Sequence, residues 1–351
     1  MILRLTFLCL FAVHLSAAEP IVVGSRPQLF VDDRLIEEQT GLERLPVPVV
    51  KANDGKPILS DGRLYGTVLH DGTKFRFWCR KPDTGYFYSE SADGIHFQRI
   101  GDVTGIPFAG DYTLAVEFDR PALDGSRRFI GGYDAPGMAA GIATSTDGLN
   151  WTPLNDGKPV THRAADTYNQ ILWDSTANTY RLLTRTDYAG GGGLDELRGH
   201  RTMVNRDPWR KPTNWKTVGE WNLDRTGKRR QIYAATHWIY EGYHFGLLSV
   251  YEWPNDFSEG GTDLQRRHER DIMNTYLVTS HDGVHWKMDA VENEHPFIPR
   301  GPDGSFDKDL LFPASTIVTW ENQHWLYYSG ANERHGNPQV SFPRTIEVGL
   351  A

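Results

Sequence analysis

The chain has 351 residues, with 37 Lys and Arg against 45 Asp and Glu, for a net charge of −8. That balance argues against a basic-patch nucleic-acid binder. Aromatics make up 12% of the chain, too many to stay wet in a disordered polymer. With 35 Gly and 20 Pro, the composition suits a large turn-rich globular domain.

The N-terminus reads as a secretory signal peptide over residues 1–18. Arg4 supplies the positive start, Leu5 to Val13 an apolar core, and Ser16-Ala17-Ala18 small residues for cleavage. The apolar run is too short to span a bilayer, and no later stretch is long enough to do so. Residues 19–351 form the mature domain, which is expected in the periplasm or outside the cell. Cys9 leaves with the signal. Cys79, alone in the mature chain, fits a small buried hydrophobe.

A short motif recurs: Ser91-Ala-Asp93-Gly94-Ile-His-Phe97, Ser145-Thr-Asp147-Gly148-Leu-Asn-Trp151 and Ser280-His-Asp282-Gly283-Val-His-Trp286. The first two copies lie 54 residues apart, and the next interval of 135 leaves room for one more. A degenerate copy fits that gap: Asn205-Arg-Asp207, a longer loop, then Asn214-Trp215. Each copy follows a strand-like run, at 86–89, 141–144, 202–204 and 276–279. Asp-Gly favours a tight turn, and the aromatic opens the next strand.

Five strand-turn-strand units alternate with these turns. The first pairs 65–70 with 74–80, the second 112–118 with 127–133, and the third 168–173 with 180–186. The fourth pairs 233–240 with 243–251, and the fifth 313–320 with 324–329. The second strands recur at intervals of 53, 52, 64 and 80 residues. No segment of the mature chain shows helical periodicity. Together these patterns predict an all-β, five-bladed β-propeller with four-stranded antiparallel blades. The fifth unit ends after a third strand at 345–351, so the N-terminal strand Gln28–Asp32 is expected to close the ring.

In such a ring, first-strand starts and second-strand ends share one face, where a central funnel forms a site. Asp111, Asp166 and Asp307 are the catalytic candidates. Arg63, Tyr65, Asn169, Arg185, Asp187, Tyr233, Glu252 and Asp309 are the substrate-binding candidates. Carboxylates with aromatic walls suit glycoside hydrolysis: one acid protonates the leaving oxygen while a second carboxylate activates water or attacks the anomeric carbon. Arginines there favour an anionic sugar. No cofactor or metal motif is present, with a structural Ca²⁺ left open, and the expected partner is a carbohydrate substrate. The glycine run 190–193 lacks the Lys-Ser/Thr and helix of a phosphate loop.

Four features read together carry a family resemblance: Leu29-Phe-Val-Asp-Asp-Arg-Leu-Ile36, Tyr65-Gly-Thr-Val68, the repeated turn motif, and Ile346-Glu-Val-Gly-Leu-Ala351. The chain resembles secreted bacterial proteins similar to the glycoside hydrolase family 32 N-terminal domain, in the five-bladed propeller superfamily of families 32, 43, 62, 68 and 130. The resemblance implies a central acidic funnel acting on glycosides. The W-x-N-D-P and E-C motifs of family 32 are missing, so fructan specificity and the family's catalytic residues do not carry over. Relatives usually continue into a β-sandwich beyond the point where this chain stops. The alternatives to a glycoside hydrolase are a non-catalytic carbohydrate-binding propeller and a lyase or sialidase-like enzyme on anionic sugars. N-terminal sequencing of exported protein is expected to read Glu19 first; an intact Met1 would contradict the signal peptide.

Overall fold

The computed structural model describes residues 21–25, 27–42, 49–109, 113–120, 129–162, 167–187, 198–223, 230–252, 271–334 and 345–351. The chain divides into two compact units, 1–44 and 45–351. In the first, Gln28–Asp32 forms no strand. Asp32 instead accepts a hydrogen bond from the Arg34 amide at 3.0 Å, and the Ile36 amide bonds to the Asp33 carbonyl, so the chain turns where an edge strand is expected.

The second unit is an all-β propeller with antiparallel four-stranded blades. Its first sheet holds β1 (Arg63–His70), β2 (Phe75–Arg80), β3 (Tyr86–Ser91) and β4 (Gln98–Asp102). The second holds β5 (Leu114–Phe118), β6 (Phe129–Ala135), β7 (Ala139–Ser145) and β8 (Trp151–Pro153). The third holds β9 (Gln170–Asp174), β10 (Thr179–Asp187), β11 (Arg198–Asn205) and β12 (Lys216–Asn222). In each, neighbours in sequence are neighbours in the sheet, as hairpins with short turns dictate.

The last sheet departs from expectation. Four sheets of blade size are present among the described residues, not five. β13 (Arg230–Tyr240), β14 (Tyr243–Glu252) and β15 (Ile272–Ser280) continue into β16 (Leu310–Pro313), β19 (Tyr327–Ala331) and β20 (Ile346–Leu350). The join is one parallel pairing, Met273 with Leu310, sealed by the Met273 amide on the Asp309 carbonyl at 2.9 Å. A separate hairpin, β17 (Val318–Trp320) and β18 (Gln323–Trp325), extends between β16 and β19. Beyond β15, the outer position is reduced to isolated bridges, Thr279 to Lys287 and Thr275 to Ile298, around the short helix α1 (Asp289–Glu292). The outer side of β20 meets residues 52–59: the Ala52 amide bonds to the Leu350 carbonyl, and Ile58 and Leu59 bond with Val348 at 2.7–2.8 Å.

The inner strands β1, β5, β9, β13 and β16 surround a shared axis, where one side chain collects their loose ends. The Gln170 amide nitrogen lies 2.7 Å from both the His237 and Ser315 carbonyls and 3.0 Å from the Glu117 carboxylate. The Gln170 carbonyl accepts from the His237 amide at 2.7 Å. Thr67 completes the circuit by pairing with the Ser315 hydroxyl and accepting from the Val116 amide.

The repeated motif proves to be an identical turn each time. In the first copy the Asp93 carboxylate accepts from the amides of Ile95 and His96 at 2.9 and 2.8 Å, while Ser91 accepts from the Gly94 amide. Asp147 and Asp282 repeat the pattern. Each turn glycine has positive φ (73°, 84° and 67°) and touches the adjacent sheet. The Gly94 carbonyl accepts from the Tyr327 hydroxyl, Gly148 from the Trp78 indole at 2.8 Å, and Gly283 from the Arg181 guanidinium at 3.2 Å. A Cβ at Gly148 would sit 2.9 Å from the Trp78 ring. The motif therefore fastens one sheet to the next.

Gln170→Met keeps the side-chain shape but leaves four buried polar partners unmatched. Chemical denaturation is expected to show a loss of about 3 kcal/mol or more; a loss under about 1 kcal/mol would contradict the axial role.

Candidate functional site

One layer along the axis from Gln170, towards the strand starts, aromatic rings fill the channel. Tyr65 in β1, Tyr168 just before β9, Tyr233 in β13 and Phe312 in β16 pack with ring centroids 5.3–5.8 Å apart. The Tyr65 and Tyr233 hydroxyls are 2.6 Å apart, and the Tyr168 hydroxyl donates to the Pro313 carbonyl at 3.0 Å. Buried tyrosines persist because each phenol has a polar partner. These packed rings form a floor across the inner strands.

Beyond the floor lie the residues at first-strand starts, second-strand ends and third-strand starts. Antiparallel alternation puts all three on one face. β1 and β2 contribute Arg63 and Arg80, which are paired in the ladder, and Arg80 stands over the Tyr65 ring at 5.8 Å. β6 contributes Asp134, buried beside Thr113. β10 ends with Arg185, 2% exposed, opposite His200 of β11. β13 to β15 contribute Tyr251 and, just before β15, Asp271, which is fully buried. Asp309 precedes β16, with Lys308 at 3.1 Å and Arg334 at 4.0 Å from its carboxylate.

The densest part lies between β10–β11 and β13–β15. Tyr251 packs on Tyr233 at 4.8 Å and lies under Arg198 at 5.7 Å. Burial pushes its phenol well above the ordinary range, and the charges of Arg198, Asp271 and Arg185 all act on it. Burial, reinforced by Arg185 and Arg201, pulls His200 down to about 3, so its imidazole is neutral. The rim thus combines fixed cations, buried carboxylates and phenols that stay protonated.

The expected site residues divide. Asp111 and Asp166 lie outside the described residues, as does the side chain of Asp187. Arg63, Tyr65, Arg185, Tyr233 and Asp309 lie on the floor or rim. Asn169 is buried on the seam with the second sheet, its amide 3.5 Å from the Tyr133 carbonyl. There the chains approach so closely that a Cβ on Gly132 would sit 1.5 Å from the Asn169 carbonyl. Glu252 is engaged by Arg230 at 2.8 Å and by Asn274 and Tyr276 at 2.6 Å each. Asp307 points elsewhere, to Lys51 at 2.5 Å and the Tyr328 hydroxyl at 2.9 Å, among apolar side chains. Asp271 and Arg198 stand at third-strand starts, outside the first and second strands that supply the expected candidates, and Tyr251 ends a second strand beside the expected Glu252. The rule that third strands start on the same face as first strands points to Arg198 and Asp271. Among the described residues, no group of three or more His, Cys, Asp or Glu side chains is arranged to hold a metal ion. Nor is any helix long and apolar enough to cross a membrane.

Below the floor, Glu117 has one hydrogen-bond donor, Gln170, and burial raises its carboxyl to about 8. The folded state therefore keeps a proton that the unfolded chain releases near pH 4.3. Stability falls as pH rises from about 4.3 towards the folded value, by about 1.4 kcal/mol per pH unit at most. His244, which burial pulls down to about 4, acts oppositely below pH 6.5. The Glu117→Gln variant is therefore expected to lose only the falling limb. Its stability relative to the parent should rise between pH 5 and 8 in thermal unfolding; a flat difference would contradict the raised value.

No family model matches this sequence, and no curated protein matches it. Solved structures do share its fold. A thermostable family 43 glycoside hydrolase aligns over 86% of this chain and 90% of its own, with 13% identity and a TM-score of 0.55. A family 43 subfamily 12 protein from a capybara gut metagenome covers 85% and 54%, with 13% identity and a TM-score of 0.52. A family 32 β-fructofuranosidase of Bombyx mori covers 84% and 62%, with 12% identity and a TM-score of 0.51.

Proposed function

We propose that this chain is an exported glycoside hydrolase that cleaves a poly- or oligosaccharide in the funnel above the aromatic floor. The observation that carries the reading is the floor itself, a tyrosine-rich base below a rim of buried carboxylates and arginines at one end of the inner strands. The likeness of the fold to glycoside hydrolases supports it. In this reading the six-stranded sheet is two blades joined at Met273 and Leu310, which makes five. Residues 52–59, laid along β20, take the ring-closing part expected of Gln28–Asp32.

The chemistry needs two carboxyl groups on either side of the scissile bond. Asp309 and Asp271 on one side of the funnel, and Asp134 on the other, are the described candidates. Asp111 and Asp166 remain candidates from sequence. One carboxylic acid gives its proton to the leaving oxygen. The second activates water or attacks the anomeric carbon. Arg80 above the Tyr65 ring, Arg185 and Arg198 offer charge to hydroxyl or acidic groups. Glu252 and Asp307 serve as structural anchors.

Incubating the mature protein with a panel of plant, algal and host glycans is expected to release a sugar. Asp309→Asn should lower kcat by about a hundredfold or more while affinity changes little. Asp166→Asn, run alongside, assigns that residue by the same criterion. Binding without release from any glycan would contradict hydrolysis and favour a carbohydrate-binding propeller. An unsaturated, ultraviolet-absorbing product would point to a lyase.

A further inference from the structure

The degenerate copy of the turn motif builds something the other three lack. From Asn205 to Trp215 it is four residues longer than the compact copies, and Pro208 replaces the turn glycine. The loop is well tied. Asn205 donates to the Lys211 carbonyl at 2.7 Å, and the Lys211 amide bonds to the Asp207 carbonyl at 3.0 Å. The Asp207 amide bonds to the Asn205 side chain at 2.9 Å, and the Trp215 indole donates to the Pro212 carbonyl at 2.8 Å.

Beside this loop is an open depression of about 590 Å³, walled by the start of β10, the end of β11, the loop, the start of β12 and the turn residue Val284 of the next sheet. That is within the range of small-ligand sites. Thr179 and Arg181 on its wall lie six and four residues along β10 from Arg185, about 20 and 13 Å, so it is separate from the funnel.

Its lining is strongly cationic in an acidic protein. Arg181, Arg206, Lys211 and Lys216 face it, with Asp207 as the lone carboxylate. Arg181 is consumed structurally by Asp174 and the carbonyls of Asp282 and Gly283. Asp207 is turned to Arg210, at 3.9 Å. Arg206, Lys211 and Lys216 have no carboxylate partner among the described residues. Three exposed cations without a carboxylate partner among the described residues therefore share one face with the side-chain amide of Asn214, in a chain of net charge −8.

We propose that this depression is a second carbohydrate site that takes an acidic glycan by its carboxylate or sulfate groups, holding chain for the funnel at the other end of the strands. The proposal rests on the carbohydrate reading above. The cations pair with the acidic groups, and the Asn214 amide bonds a sugar hydroxyl.

Calorimetric titration of the mature protein with trigalacturonate, a carrageenan tetrasaccharide and uncharged xylotetraose tests it. Binding of either acidic glycan, weakened by salt and absent for xylotetraose, is expected. Lys211→Glu and Lys216→Glu should each weaken it about tenfold or more. Arg210→Glu, an equal charge change on the same loop but outside the wall of the depression, should weaken it less than about threefold. The carboxylated and sulfated probes distinguish the two sources of charge. Equal losses for Lys211→Glu and Arg210→Glu, equal binding of xylotetraose, equal binding of inorganic sulfate alone, or no acidic-glycan binding would each overturn the proposal. Cleavage of a short soluble substrate should be unchanged in Lys211→Glu, so failure of this site and failure of the funnel reading appear in different measurements.

Discussion

The Gln170 side chain is the constraint on which the rest depends. Inner strands that surround an axis leave main-chain groups facing one another with no ladder to join them, and buried groups without partners are costly. A primary amide supplies both donors and an acceptor in one short side chain. Gln170 spends them on the His237 and Ser315 carbonyls, the His237 amide and Glu117, and so holds strands from the second sheet, the third sheet and both halves of the last. Thr67 adds the first sheet through Val116 and Ser315. Because these contacts set where the strands stand, they also set where the rings of Tyr65, Tyr168, Tyr233 and Phe312 meet one layer away. The funnel rests on a polar clasp beneath an apolar floor.

A second layer of constraint lies at the periphery. The three compact turns share their internal hydrogen bonds but receive donors of three kinds, a phenol, an indole and a guanidinium. What repeats is the acceptor, a glycine carbonyl presented at positive φ; what varies is the neighbour that reaches it. Where the turn is lengthened at Asn205–Trp215, a cationic depression opens beside the lock.

Strand positions and repeats were legible from the sequence because alternation, Asp-Gly turns and aromatic strand openings are local signals. The hairpins of all five units occur close to where they are expected, and Cys79 is buried as read. The union of β15 with β16 was not legible, since it depends on one main-chain contact between residues 273 and 309. Gln28–Asp32 looked like a strand by its Leu-Phe-Val run, but hydrogen bonds from the Arg34 and Ile36 amides to Asp32 and Asp33 turn the chain. At the site, Asp307 and Asp309 could not be separated by spacing alone. Lys51, far away in sequence, claims Asp307, whereas Arg230 claims Glu252 from directly across the β13–β14 hairpin. For Asp307 a distant ion-pair partner decides that the carboxylate is an anchor, and no local pattern records it.

The central claim is that the glycan-cleaving site sits above the aromatic floor. A crystal structure of the Asp309→Asn variant with a glycan that the parent cleaves tests it most directly. The account predicts a sugar ring seated above the floor, with its scissile bond between residue 309 and a second carboxylate. A glycan bound at the blade periphery with the funnel empty, or one in the funnel with no second carboxyl group within reach of its glycosidic oxygen or anomeric carbon, would contradict it.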